Sequence, residues 1–530
     1  MADDSEPLLD GDDIQGNILP GLNRAQQFLV AFSSSDKDKL QRAIATLRPR
    51  ITRLATAIKH RDDRKQAIIN RASRPQRQDL WVNFALGPRA TDALGAGQVR
   101  DLDQAFSTGM LPGTVGDPFV SQLPDGSPNP AHRSNWVVGA PSHPVDLLLI
   151  FAHDRDVATA SEPIISAIAS VLGSEPAYRG EGWLLPGEIE HFGFKDGISE
   201  PGVRGKILQD GVERLVTTRY GVPSDHGVDF GKAGQPLAWP GQFLTGQPTF
   251  AGDEPGLAPE FTNGSFLVLR RLRQDVKALY EDSETLAKLL RDKTGRQISA
   301  ADLRNLLVGR FPSGAALMRH KHEPKEVEGP NEVNYFAYAA TLPAFNLPDG
   351  TEVAASAADP DILHGRRCPL WAHVRKVNTR DLPTDRGGPD ATRRFQMLRR
   401  GIPFGPLYDH ANPTSPQNSA ERGLLFLAYQ RSIGEQFEQL NDDWMNNFDA
   451  PQSGGFDLLV GQNVPSDDGE FPKGLHAPKQ AKFFGPLGGS TDSKGTDFVA
   501  PRQWVIPTGG AFLFAPSMAF VDRFCPPLVA

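Results

Sequence analysis

The feature that most constrains the fold of this chain is an alternation of strand-length apolar runs with stretches of helical periodicity. Residues 28–32 form a short apolar run. From residue 37 to 58 the side chains Leu40, Ile44, Leu47, Ile51, Leu54 and Ile58 then recur at spacings of three and four, the period of one helix face. Apolar runs at 80–86 and 145–152 predict strands, 157–172 predicts a helix, and 188–194 a fourth strand. The order is β-α-β-β-α-β. It returns at a coarse level in the second half, without sequence identity between the halves. There, 265–272 reads as a strand, Ser283 as an N-cap before Leu286, Leu289 and Leu290, and 300–311 as further helix. Strands are expected at 333–340 and 424–429, a helix at 433–444 and a last strand at 511–514.

That order is the split unit of ferredoxin-like folds. The expected fold class is therefore α+β: two stacked ferredoxin-like β-α-β-β-α-β units with antiparallel sheets, an N-terminal domain over 1–235 and a C-terminal domain over 236–530. A chain of 530 residues can support one or two sizeable cores. Its 52 glycines and 45 prolines predict many turns, and Gly/Pro-rich segments at about 105–144, 221–262, 376–420 and 447–502 are too long for simple connections.

Charge and cysteine content narrow the function classes. The balance of 56 basic against 64 acidic residues, a net charge of -8 with no sustained Lys/Arg block, argues against nucleic acid as a partner. No apolar run approaches the roughly 18 residues that span a bilayer, so no membrane insertion is expected. The start of the chain, from Met1 to Glu6, is acidic where a secretory signal needs a basic start, so a cytoplasmic location is expected. Cys368 and Cys525 alone cannot build a disulfide framework, a thiolate metal cage or a CxxCH haem attachment, and are expected to be reduced and buried.

Two places invite chemistry. His320 and His322, which a strand would set on one face with Glu323 nearby, are a candidate non-haem metal site. Surrounded by Lys321, Lys325, Glu326 and Glu328, they read more simply as a solvated charged loop. His60, His153 and His191 have no partner at ligand spacing. The segment Gly193-Phe194-Lys195-Asp196-Gly197 differs in kind. Glycines on both sides of Asp196 permit close backbone approach and present its carboxylate on a loop, although an Asp-Gly turn without chemistry has the same pattern.

Taken with other blocks of the chain, this segment resembles the GxxDG hallmark of the dye-decolorizing peroxidase family. Similar blocks in the family's order run through Asp13-Ile14-Gln15-Gly16-Asn17-Ile18-Leu19, Gly264-Ser265-Phe266-Leu267-Val268-Leu269-Arg270-Arg271 and Gly309-Arg310-Phe311-Pro312-Ser313-Gly314. They continue with Cys368-Pro369-Leu370-Trp371-Ala372-His373, Arg399-Arg400-Gly401-Ile402-Pro403-Phe404-Gly405, Arg422-Gly423-Leu424-Leu425-Phe426 and Gly509-Gly510-Ala511-Phe512-Leu513-Phe514. Together they span nearly the whole chain, and its long loops are similar to those of the larger, insertion-bearing subgroup.

The resemblance implies a haem b peroxidase, one haem per chain held in the C-terminal unit, that reduces hydrogen peroxide and oxidises bulky aromatic reductants such as dyes and phenols through a ferryl intermediate. It puts the axial iron ligand at His373, where Trp371 replaces a smaller residue two positions earlier, and the distal pair at Asp196 and Arg399. Leu424 and Phe426 match positions that wall the distal pocket. Arg375 and Arg380 are candidates for the haem propionates or for a solvated basic face, and Asp457 is the candidate acceptor for the second ring nitrogen of His373. An imidazole on one side of a haem leaves the other open to peroxide, where Asp196 would move the proton and Arg399 stabilise the developing charge. Carboxylates titrate near 3.9 against about 6.5 for imidazole, so an acidic activity optimum is expected. Oxidisable residues near these segments are Trp371, Tyr408 and Tyr429. Two alternatives remain at this point: a haem-binding or haem-handling protein without turnover, and a non-haem metalloenzyme built on His320, His322 and Glu323.

Overall fold

The computed structural model describes residues 6–70, 79–110, 121–122, 126–225, 227–250, 252, 256–326, 328–462, 464–465, 476–477, 480–483 and 495–526. Met1 to Ser5, on which most of the acidic-start reading rests, lie outside these residues. The strands that organise the molecule are β1 (Gln26–Phe32), β2 (Trp81–Leu86), β3 (Leu147–His153), β4 (Tyr178–Trp183), β5 (Ser265–Gln274), β6 (Leu398–Arg399), β7 (Ile402–Phe404), β8 (Gly423–Gln430) and β9 (Val505–Ala515). They form one antiparallel sheet in the order β6-β8-β5-β9-β2-β3-β1-β4, with β7 also on β8. Each half contributes the β-α-β-β-α-β order, so the chain is α+β as its patterning predicts. The two strand sets lie side by side in this one sheet rather than stacked, joined where Phe514 of β9 pairs with Leu86 of β2.

Period-two alternation decides where the cores sit. Leu29 and Ala31, Leu148 and Ile150, Leu267 and Leu269, and Leu425 and Leu427 are buried together on one face. Phe28 and Val30, Leu147 and Leu149, and Phe266 and Val268 face the other way. That second core also takes buried side chains from the helices α1 (Lys37–Leu47) and α2 (Val157–Leu172). The sheet curls until its edges approach: a Cβ on Gly182 of β4 would lie 2.4 Å from Ile402 Cγ2 of β7, a contact only glycine allows.

Three expected elements are replaced. The fourth strand of the first half is 178–183, a Gly-containing and partly polar edge strand without the apolar signature. Residues 188–194 instead turn back through an Ile189–Lys195 bridge. The stretch 333–340 is not a strand. Its Phe336 and Tyr338 pack with Cys368 and Ala372, and the N–H groups of Tyr338, Ala339 and Ala340 are satisfied by the Asp381 carboxylate rather than by a neighbouring strand. Its place in the sheet is taken by β6 and β7. Ser283 lies inside a helix, α3 (Val276–Thr294), whose N-cap is Asp275, which accepts from Ala278 N at 3.0 Å. Cys368 and Cys525 are both free and buried. Among the described residues no helix is long and apolar enough to cross a membrane.

Candidate active site

His373 opens a five-residue helix, α4 (His373–Val377). Its Nδ1 lies 2.7 Å from Oδ2 of Asp457, a carboxylate fully shielded from solvent. Asp457 Oδ1 in turn accepts the N–H groups of Leu459 at 3.0 Å and Val460 at 2.9 Å. A carboxylate held in this way fixes the proton on Nδ1, orients the ring and leaves Nε2 as the nitrogen available for a ligand bond. Trp371, the bulky departure two residues earlier, is itself buried. Its Nε1 donates to Lys482 O at 2.9 Å and its ring meets Phe498 edge-on, so the substitution fills core volume.

Asp196 sits on the loop that replaces the expected fourth strand. The Glu190 carboxylate organises that loop by accepting the N–H groups of Phe192 and Phe194, both at 2.9 Å, and the Gln274 amide from β5. Burial pushes the Glu190 carboxyl up to about 7. Gly193 and Gly197 adopt φ of 95° and 71°, conformations that cost a residue with a Cβ. Arg399, at the end of β6, places Nη1 3.7 Å from Asp196 Oδ1, too far for a hydrogen bond. Its tighter partner is Glu200: Nη2 lies 2.7 Å from Oε1, and the backbone N of Arg399 donates to Oε2 at 3.1 Å. The charge of Glu200 is the main reason the Arg399 guanidinium is raised above its ordinary value. Glu200 therefore holds Arg399 beside Asp196 without letting the two close.

His373, Asp196 and Arg399 line one cavity of about 300 Å³. Cross-strand register builds one wall. Leu424 and Phe426 of β8 pair with Leu272 and Arg270 of β5, so alternate residues of both strands face the same space. A second wall is the π-helix α5 (Ile433–Met445), which contributes Phe437, Leu440, Asn441 and Met445. The start of α5 is fixed by Asp103 Oδ2, which accepts from Ile433 N at 2.8 Å and from Ser432 Oγ at 2.7 Å.

Arg380 lines the cavity and Arg375 does not. The Arg375 guanidinium is buried over the Tyr338 ring, donates to Cys368 O at 2.8 Å and Ile362 O at 2.9 Å, and lies 3.6 Å from Asp359. The expectation that Arg375 reaches a cofactor is corrected accordingly: its hydrogen bonds are spent tying the segment before His373 in place. Arg310, which in the sequence is only part of the Gly309–Gly314 block and has no role expected of it there, lines the cavity beside Arg380, and both guanidiniums converge on Asn334 Oδ1. Burial, and then the neighbouring Arg380, pull Arg310 down to about 10. Neither arginine forms an ion pair with a carboxylate among the described residues. Two shielded cations without counter-ions fit an anionic ligand edge, and with an imidazole free at Nε2 and apolar walls they fit a haem with its propionates.

The alternative metal site is not assembled. His320 Nε2 pairs with Glu328 Oε1 at 2.8 Å, Glu323 accepts from Ser313 N, and His322 is exposed. Among the described residues no three His, Cys, Asp or Glu side chains converge as a metal site. Trp371 and Tyr429 are each only 1% exposed. The residues missed from sequence, Glu190, Glu200 and Arg310, all lie within or beside the family-like blocks. Their signal was an acid or a base next to the glycine-bounded Asp196 or inside the Gly309–Gly314 block, but nothing in one dimension says which charges turn inward.

No family model matches the chain. Among curated proteins it is similar to the dye-decolorizing peroxidase of Mycena epipterygia, 30% identical over 538 residues that cover 98% of this chain and 88% of the relative. It is also similar to the dye-decolorizing peroxidase msp1 of Mycetinis scorodonius, 29% identical over 525 residues, covering 96% and 86%. Among solved structures, an ancestral D-type dye decolorizing peroxidase matches with a TM-score of 0.70 and 26% identity, covering 98% of this chain and 99% of that one. A mutant of the Pleurotus ostreatus enzyme shares the fold with a TM-score of 0.72 at 24% identity, covering 98% and 100%.

Proposed function

The chain belongs to the dye-decolorizing peroxidase family, and from that premise we propose that it is a peroxidase in which His373 holds one haem b and Asp196 and Arg399 activate hydrogen peroxide. It reduces peroxide at the expense of bulky aromatic reductants, dyes and phenols among them, as the family does, and the family is haem-dependent. The observation that carries the residue assignment is the convergence of an Asp457-oriented imidazole, a loop carboxylate and a clamped guanidinium on one apolar-walled cavity.

Haem, when bound, would be held through its iron by His373 and would supply the redox chemistry that consumes peroxide and takes electrons from the reductant. The chain supplies the rest. Asp457 accepts the Nδ1 proton of His373 in a hydrogen bond and makes the imidazole a stronger donor. Asp196 takes a proton from one oxygen of peroxide and returns it to the other, so that the departing fragment leaves as water. Arg399 stabilises the negative charge that develops on that oxygen, and needs no reorganisation because Glu200 already holds it. Arg310 and Arg380 would hold the propionates. Leu424 and Phe426 narrow the approach to something the size of peroxide and exclude bulk water, so larger reductants must deliver electrons from outside.

The test is the visible spectrum of the purified holoenzyme with and without peroxide, together with peroxide-driven dye oxidation in Asp196→Ala and Arg399→Ala. The expected result is retained haem absorbance with oxidation lost in both variants. Variants that keep wild-type oxidation would refute the assignment. Haem uptake by the wild-type chain without turnover would instead support a haem-handling protein.

A further inference from the structure

Beside the haem cavity lies a second one of about 580 Å³. The two are separated by the segment leading into β6, and Gln396 belongs to both linings. Helix α5 also separates them, with Phe437 and Leu440 facing one cavity and Gln436 and Gln439 the other. The partition is rigid. Gln242 Nε2 donates to Arg393 O at 2.8 Å and Gln396 O at 3.1 Å, while Gln436 Nε2 donates to Gln396 O at 2.8 Å and Gln242 O at 3.2 Å.

Its lining is both aromatic and cationic. Trp239, Phe250 and Phe395 supply ring surface, and Phe250 is 64% exposed, so its ring is open to a docked molecule. Four guanidiniums, Arg386, Arg393, Arg394 and Arg431, stand against two carboxylates, Asp390 and Glu435. Asp390 is already engaged by Arg393, and Arg386 by Asp385 and Asp443. Arg394 is exposed and has no ion pair among the described residues. An independent sign of a missing partner comes from Gln439. It is 7% exposed, and its Nε2 is a buried donor without an acceptor among the described residues. Gln439 borders the cavity, and a turn of its amide would bring Nε2 to an acceptor placed there.

Resting on the peroxidase reading above, we propose that this cavity is the docking site for an aromatic reductant that carries an acidic group, a carboxylate or sulfonate. The rings would lie against Trp239, Phe250 and Phe395, and the acidic oxygens would accept from Arg394 and from Gln439 Nε2. A molecule docked there is one partition away from the haem cavity, so it can be oxidised without entering a space suited to peroxide. The balance is two phenolic reductants per peroxide: each gives one electron and one proton and leaves as a phenoxyl radical, and hydrogen peroxide becomes two waters.

The experiment titrates the holoenzyme calorimetrically with anthraquinone-2-sulfonate, an aromatic anion that is not a reductant, and with uncharged 2-(hydroxymethyl)anthraquinone. The expected result is at least tenfold tighter binding of the anion, weakened at least tenfold in Arg394→Glu and in Gln439→Leu and falling with ionic strength. In turnover, the ratio of KM for an acidic phenol to KM for a neutral phenol should rise about tenfold in both variants. Equal binding of the two anthraquinones, or wild-type binding and an unchanged KM ratio in both variants, overturns the proposal. Failure of the wild-type holoenzyme to oxidise any phenol would refute the peroxidase reading instead, and the titration would still decide whether the cavity takes aromatic anions.

Discussion

Glu200→Gln isolates the clamp on Arg399 while preserving the shape of the side chain. In the native arrangement the guanidinium lies 2.7 Å from Glu200 and 3.7 Å from Asp196. Once the Glu200 charge is removed, Asp196 becomes the stronger attraction, and a gap of one ångström is within reach of a side-chain rotation. Closing that gap to the contact distance now seen with Glu200 strengthens the Arg399–Asp196 attraction by about 1.7 kcal/mol at an effective dielectric constant near 20. Because the side chains of Arg399, Asp196 and Glu200 are 34%, 43% and 22% exposed, solvent screening lowers this to about 1 kcal/mol. Asp196 must be freed from that contact before it can take a proton from peroxide. The rate of the peroxide reaction should therefore fall about five- to twentyfold. Stopped-flow spectroscopy of the haem-loaded variant measures this rate, with the resting spectrum as a check that the cofactor site is intact. An unchanged rate in a fully loaded variant would show that Glu200 does not restrain Arg399, and the argument for a separated distal pair would fail.

Asp457→Asn should leave His373 in place but weaken its donation to iron. The reduction potential is expected to move to more positive values, with haem affinity or peroxide turnover falling by about 10–100-fold; a wild-type potential would exclude a role through His373. His373→Gly should lose haem, and added imidazole should restore the absorbance if the ring is the axial ligand. Glu190 carries a stability prediction. Its folded pKa is raised from 4.5 to about 7, so between these values the native state binds more protons than the unfolded chain, and stability falls as pH rises through that window. The loss is on the order of 3 kcal/mol at most. Asp442, also pushed up to about 7 by burial, acts in the same direction. Urea unfolding at pH 4.5 and 7.5 should show a smaller decline in Glu190→Gln than in wild type, and an equal decline would mean that Glu190 does not titrate in the folded state.

Local pattern alone determined much of this protein. Helical spacing and apolar runs specify the β-α-β-β-α-β order of the first half, because burying one face of a helix or strand requires that periodicity wherever the element ends up. The glycines around Asp196 marked a loop able to present an acid, while the blocks ending at His373 and beginning at Arg399 implied the proposed chemistry only through their resemblance to the family. Strand identity failed where burial and pairing part company. Phe336 and Tyr338 are apolar because they pack around Cys368 and Ala372, yet backbone donors of that stretch go to Asp381, while the true strands 398–399 and 402–404 carry Arg399 and flank Arg400. Only tertiary structure could choose between Arg375 and Arg380, two arginines five residues apart. One turns away from the cavity to carbonyls in the interior, and the other, which also donates to the Asn334 and Phe336 carbonyls, meets Arg310 across Asn334 at the cavity wall. The same holds for Glu200, whose partner is 199 residues away. Long-range electrostatic pairing depends on distances that the order of residues does not contain, so the folded chain alone decides which charges face the reaction and which hold the frame.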